Sequence, residues 1–192
     1  MRTALLAAAT GTLMALAIAH AAGITPAEEP PGDPAVVEML TGIDYIPTRG
    51  TIDSALGADA VDELIAIAGG DADESADPGV RIRAYRALAL YPGAAAEAAL
   101  RAGIVQYAGG GGVDTLYLRA AVDSLVQIAG PDAVDDVVPL LDHASRDVRA
   151  SAAMALGDTG SESAVSPLRA RLSVEQVGQV RLAIAEALRE LE

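Results

Sequence analysis

The chain has 192 residues, 52% of them apolar, which is enough for one domain or a short array of repeats. It contains no cysteine, and this excludes disulfides, thiolate metal ligands, a cysteine nucleophile and a lipidated N-terminal cysteine. The formal charge is −14. Because phosphate binding needs clustered positive charge, this balance argues against nucleic acid and anionic lipid surfaces as partners.

Residues 1–21 have the features of a secretory signal peptide. Arg2 precedes an uncharged stretch rich in Ala and Leu, and small-x-small cleavage patterns occur at Ala17–Ala19 and Ala19–Ala21. Two alternatives stay open, a retained membrane anchor over residues 3–25 and a core helix. We expect the Pro- and Gly-rich residues 22–33 to form a linker. The chain is therefore predicted to be exported, to the periplasm or to the extracellular space.

From residue 34 onward the chain repeats. A nine-residue frame that ends in a small residue and Leu recurs five times, and its closing leucines are spaced 32, 37, 31 and 32 residues apart. Frame positions 1, 5, 8 and 9 lie on one face of a helix and are mostly apolar or small, which predicts a buried seam. The five copies are Thr48–Leu56, Val80–Leu88, Tyr117–Leu125, Val148–Leu156 and Val180–Leu188.

Each of the first four frames is followed by a break and a second apolar segment. Gly, Pro, Asp and Ser in the breaks suit the end of one helix and the start of the next. A pair of helices of this size cannot bury its apolar face alone and must stack on its neighbours. The predicted fold is all-α, a right-handed α-solenoid of about four helical hairpins plus a terminal helix, over residues 34–192. Residues 34–43 are expected to be the second helix of an incomplete first repeat.

The frame at Val148–Leu156 carries a recognisable motif. Asp147, Val148, Arg149, Ala152 and the Ala-Leu-Gly of residues 155–157 follow the pattern D-x-V-R-x-x-A-x-x-A-L-G with one residue fewer after Asp. This stretch resembles HEAT repeats of the phycobilisome-lyase type, and residues 77–88 form a second, looser copy. The resemblance implies a binding scaffold with protein partners. Di-iron hydroxylases with similar repeats use His-Glu pairs, and the sequence has none.

Few residues suit catalysis. His143, beside Asp142, is the only histidine outside the predicted signal, and we expect it to be a partly exposed residue at a helix end. The Gly109–Gly112 run lacks the Lys and Ser/Thr of a phosphate loop and is read as a loop between repeats. We therefore predict that the protein is not an enzyme and needs no cofactor. The alternatives are a carboxylate- or metal-dependent enzyme subunit and a membrane-anchored structural protein of the envelope.

One acidic segment has the spacing of metal ligands. Asp71, Asp73, Ser75 and Asp77 alternate as in the first half of a calcium-binding loop, but Ala76 stands where that loop needs Gly. The main interpretation is a solvated acidic turn, with weak calcium binding as the alternative.

The arginine at the second frame position recurs in four copies. An arginine ladder could bind anions, but a forked guanidinium also suits bidentate pairing with a carboxylate, which would tie neighbouring repeats together. We favour this structural role, with Asp77 and Asp147 as the paired acids and Arg49, Arg81, Arg149 and Arg181 as the ladder.

The second helices of such repeats normally line the concave face, so their polar residues are the candidates for a binding surface. The first three repeats lean acidic there and the last leans basic, which predicts a charge gradient. An acidic face would attract a protein partner with a basic surface. The candidate residues are Asp62, Glu63, Glu97, Arg101, Asp135, Asp136, Arg169 and Arg171.

Overall fold

The computed structural model describes residues 34–41, 47–70 and 77–192, and within these ranges the chain is helical, with no strand. The predicted signal peptide, the predicted linker and three of the four calcium candidates, Asp71, Asp73 and Ser75, lie outside the described residues. The helices are α1 Pro34–Thr41, α2 Arg49–Leu56, α3 Ala60–Gly69, α4 Pro78–Leu88, α5 Ala94–Tyr107, α6 Asp114–Ala129, α7 Val134–Val137, α8 Arg146–Asp158, α9 Val165–Val174 and α10 Gly178–Leu191.

The helices alternate between two layers. We call α2, α4, α6, α8 and α10, which contain the five frames, the first-type helices; α3, α5, α7 and α9 are the second-type helices. In the first-type layer α4 packs on α6, α6 on α8 and α8 on α10. The second-type helices α3, α5 and α9 each pack on the first-type helix that follows them. This stacking of helical hairpins is the predicted α-solenoid.

The predicted seam is buried in the last four copies of the frame. In α4, for example, Val80, Ala84, Ala87 and Leu88 are at most 5% exposed. The corresponding residues of α6, α8 and α10 are all buried as well. The first copy differs, because only Ile52 of its seam is buried. The periodicity therefore identified the face through which the first-type helices join the core.

Close packing of α8 on α10 depends on a glycine. A Cβ on Gly157 would lie 3.0 Å from both Cα and Cβ of Ala187. The small residues of the repeated Ala-Leu-Gly motif thus let two neighbouring first-type backbones approach each other, which a larger side chain at residue 157 would prevent.

Two expected helices differ from the sequence prediction. The second helix of the third repeat is only α7, followed by a 3₁₀ helix at Val138–Asp142. Pro139 lies at the start of that 3₁₀ turn; it has no N–H to donate and so cannot continue the α-helical hydrogen-bond pattern.

Helix α1 was expected to be the second helix of an incomplete first repeat, and such a helix packs on the first-type helix that follows it. Instead α1 packs mainly on α4, with a smaller contact to α2. The Arg83 guanidinium of α4 donates a hydrogen bond to the Leu40 carbonyl of α1.

Candidate protein-binding surfaces

The candidate residues of the middle repeats form an ion-pair cluster. Arg101 lies on α5 and donates from Nη1 to Glu97, one turn earlier, and from Nε to Asp136 on α7, both at 2.9 Å. These carboxylates raise the pKa of Arg101, the hydrogen bond to Glu97 having the larger effect. Each of the three side chains is about one third exposed. The cluster links two neighbouring second-type helices, and its single arginine leaves the two carboxylates with a formal charge of −1.

The two arginines of the last repeat are also paired. Arg171 donates to Asp142 at 2.7 Å and to Glu175 at 2.6 Å, while Arg169 donates to Glu192 at 2.6 Å. These acids cancel the positive charge of α9. The predicted gradient from an acidic to a basic end is therefore wrong, because each arginine of the last repeat is paired with a carboxylate of the chain. The sequence had not indicated these carboxylates as the partners of the arginines.

The remaining acidic candidates are on α3 and α7. Asp62 and Asp135 are exposed and form no ion pair within the described part of the chain. Glu63 is half-buried. The unbalanced charge of the second-type helices is thus negative, and it resides mainly on Asp62 and Asp135.

Glu175 is a buried carboxylate that sequence reasoning missed. It follows α9 and is 2% exposed. Its Oε2 accepts from Arg149 Nε at 2.8 Å and from Arg171 Nη2 at 2.6 Å. Its Oε1 accepts from the backbone N–H of Gln176 and Val177 at 3.0 and 2.8 Å. These hydrogen bonds, that from Arg149 foremost, lower the pKa of Glu175 to about 2.

The recurrent arginines have other partners than the predicted ones. Arg149 donates to the carbonyls of His143 and Ala144, and Arg181 to those of Leu172 and Glu175, at 2.9 to 3.0 Å. These carbonyls follow or end the preceding second-type segment, where unsatisfied C=O groups and the helix dipole favour a cation.

Arg81 occupies the corresponding place beside α3. A Cβ on Gly70, the residue that follows α3, would overlap the guanidinium of Arg81. Nη1 of Arg81 donates to the Tyr107 hydroxyl at 3.2 Å, and the guanidinium lies over the Tyr117 ring. Arg49, in the first copy, lies over the Tyr91 ring and forms an exposed ion pair with Asp53 at 3.5 Å.

The expected acids of the ladder, Asp77 and Asp147, do not hold these arginines. Asp77 caps α4, since its Oδ1 accepts the N–H of Gly79 at 2.8 Å. Asp147 is exposed and pairs loosely with its neighbour Arg146 at 3.7 Å. The prediction of Arg–Asp pairs at these positions is wrong, because Arg149 and Arg181 donate to carbonyls of the preceding segment and Arg81 donates to the Tyr107 hydroxyl.

The single histidine of the repeats has a structural contact. The Nδ1 of His143 accepts the backbone N–H of Ser145 at 3.0 Å, which fixes the ring beside the turn into α8. Within the described ranges no group of three or more His, Asp or Glu side chains converges as metal ligands would. Nor does any helix in those ranges have the length and apolar character required to cross a membrane.

A second polar cluster lies on the first-type layer. Arg86 of α4 and Arg119 and Asp123 of α6 line a cavity of about 110 Å³, together with Ile82, Leu116 and Ala120. The described part of the chain offers these three charged side chains no hydrogen bond and no ion pair, and the buried Nε of Arg119 has no acceptor. Desolvation raises the pKa of Asp123.

Sequence comparison supports the architecture. Residues 113–189, which include α6 to α9 and most of α10, match the family model of HEAT repeats. No curated protein matches the chain. The sequence of this part of the chain is therefore similar to HEAT repeats, while its assignment to the phycobilisome-lyase type stays a prediction.

Proposed function

We propose that this chain, which carries HEAT repeats, is an exported scaffold that binds another protein through its second-type helices. HEAT repeats commonly mediate protein–protein interaction and are typically non-catalytic. The second property agrees with the scarcity of catalytic groups in the sequence. We further propose that the surface of the partner is basic.

One observation carries the choice of partner. The arginines of the second-type helices, Arg101, Arg169 and Arg171, are each held by carboxylates of the chain. Asp62 and Asp135 are exposed, and the described residues offer them no such partner. A basic partner would therefore meet uncompensated negative charge on this face, and the long-range field of a chain with charge −14 would speed its approach.

Export rests on the N-terminal sequence. The charged start, the uncharged stretch and the small-x-small patterns of residues 1–21 support it. The mass of the chain isolated from its own source tests it, since cleavage near Ala21 would remove the first 21 residues and a retained anchor would not.

The binding proposal is tested with the chain as bait in an envelope extract from its own source. We expect a protein that is retained at low salt, is lost at high salt and no longer binds the variant D62K/D135K. The control is D158K/E162K, which makes the same number of charge reversals at two exposed acids, one at the end of α8 and one in the turn that follows it. Retention that is equal for the wild type and D62K/D135K would contradict the proposal.

A further inference from the structure

The first-type helices present a regular outer surface. Frame positions 3 and 7 are one helical turn apart and lie away from the seam formed by positions 1, 5, 8 and 9. We call the residues at these two positions in the last four copies the outer stripe. All of them are exposed or half-buried except Ala150, and in chain order they are Ile82, Arg86, Arg119, Asp123, Ala150, Met154, Leu182 and Glu186.

The centre of the outer stripe carries opposite charges that do not satisfy each other. Arg119 and Asp123 lie one turn apart on α6, yet no ion pair within 4.0 Å joins them. The Nε of Arg119 is buried, so a second chain would reach the other two guanidinium nitrogens, to which the described part of the chain offers no acceptor. These nitrogens gain free energy when a carboxylate from outside reaches them. The second-type layer differs, because its arginines are already paired with carboxylates of the chain.

Apolar side chains flank this charged centre. Met154 on α8 is 46% exposed and Leu182 on α10 is 61% exposed, and Leu116 beside the cavity is 45% exposed. Because these side chains recur along one face of neighbouring helices, they form an apolar border that is exposed to solvent in an isolated monomer.

The formal charges of the outer stripe cancel. Arg86 and Arg119 balance Asp123 and Glu186, whereas the whole chain has a charge of −14. Two copies of an acidic chain repel each other over most of their surface. The outer stripe is a surface on which they can meet without net repulsion.

From this pattern we propose that the outer stripe is the contact surface for a second copy of this chain, in a two-fold symmetric dimer. A symmetric contact requires a patch that is complementary to itself. A two-fold axis that runs along the stack and crosses α6 between Arg119 and Asp123 places each copy's Arg119 opposite the other's Asp123. The same operation places Met154 against Ala150, the aliphatic stem of Arg86 against Ile82, and Leu182 against the methylene stem of Glu186. The proposal is independent of the partner proposed for the second-type helices.

The test is the mass of the full chain in solution over a concentration series, measured by sedimentation. The wild type should rise from the 19.4 kDa of one chain toward twice that mass. Arg119→Asp and Asp123→Arg should each stay at the mass of one chain, because each reversal places like charges opposite each other. An equimolar mixture of the two variants should regain the dimer, since the R119D copy then presents two carboxylates to the two guanidinium groups of the D123R copy.

The mixture is the decisive arm, because a variant that had merely lost its fold could not restore association. The Asp132→Arg variant is the matched control: it makes the same charge change at an exposed residue in the turn between α6 and α7 and should dimerise like the wild type. The proposal is overturned if the wild type remains at the mass of one chain up to about 1 mM. It is also overturned if both variants dimerise, or if their mixture does not.

Discussion

Replacing Glu175 by alanine removes the carboxylate that ties three helices together. Glu175 lies between α9 and α10 and is 2% exposed, and Arg149 of α8 and Arg171 of α9 both donate to it. The alanine variant leaves Arg149, whose side chain is only 11% exposed, without its bidentate acceptor. It also removes the acceptor of two backbone N–H groups at the start of the turn into α10.

The expected loss in the free energy of unfolding is about 3 kcal/mol, the lower end of the cost of breaking a buried ion pair. The lower end applies because Arg149 keeps the carbonyls of His143 and Ala144 as acceptors, and Arg171 keeps Asp142. For a chain of this size each kcal/mol changes the melting temperature by about 2–4 °C. The Glu175→Ala variant should therefore melt about 6–12 °C below the wild type.

Thermal unfolding followed by circular dichroism at pH 7 measures this difference. Glu192→Ala is the matched control, because it also removes a carboxylate that lies 2.6 Å from an arginine. The Arg169–Glu192 pair is 64% and 52% exposed, so its loss should cost less than about 1 kcal/mol. Equal melting temperatures for the two variants would show that burial does not decide the value of these ion pairs, and would refute the reasoning.

Other predictions concern pH and packing. Because the folded pKa of Glu175 is about 2, below its unfolded value, its stabilisation is complete above about pH 5 and is lost toward pH 2. The stability difference between the wild type and Glu175→Gln should shrink over that range in acid unfolding. Burial raises the pKa of Tyr91 to about 12, so its ionisation in an absorbance titration should come well after that of free tyrosine. Burial also raises the pKa values of Tyr85 and Tyr117, so Tyr91→Phe should reduce the amplitude of the late ionisation by the share of one tyrosine and leave the rest. Gly103→Ala places a Cβ 2.5 Å from the Tyr85 hydroxyl, so it should lower the free energy of unfolding, measured by urea denaturation, by about 1–3 kcal/mol. Gly69→Ala is the control: its Cβ would meet nothing within 4 Å, so the free energy of unfolding should not fall.

The sequence was sufficient to predict the stacked helices. Helix periodicity is a local property, and the recurrence of small residues and Leu at fixed positions marks the buried side of each first-type helix before any tertiary contact is known. Val80, Val148 and Val180 are accordingly buried in equivalent positions. The irregular second helix of the third repeat was harder to predict, because Pro139 lies within an otherwise helical apolar pattern.

The candidate surface was only partly predictable. Sequence indicated which residues are polar and on which helix they lie, and Asp62 and Asp135 are exposed as expected of a surface. It could not show that Arg171 lies against Asp142, 29 residues away, because that contact depends on how one hairpin stacks on the next. The charge of the face is therefore set by pairs that sequence proximity does not reveal.

The amino-acid sequence alone determined the class of fold, the repeat length and the buried face, because each depends on side chains at fixed spacing along one helix. Only the tertiary structure decided the partners of the repeated arginines. A long guanidinium can reach its own helix, the next one or the preceding turn, and backbone carbonyls such as those of His143 and Leu172 carry no mark in the sequence. It also decided that Glu175 is buried, since burial there requires both neighbouring hairpins to be in place.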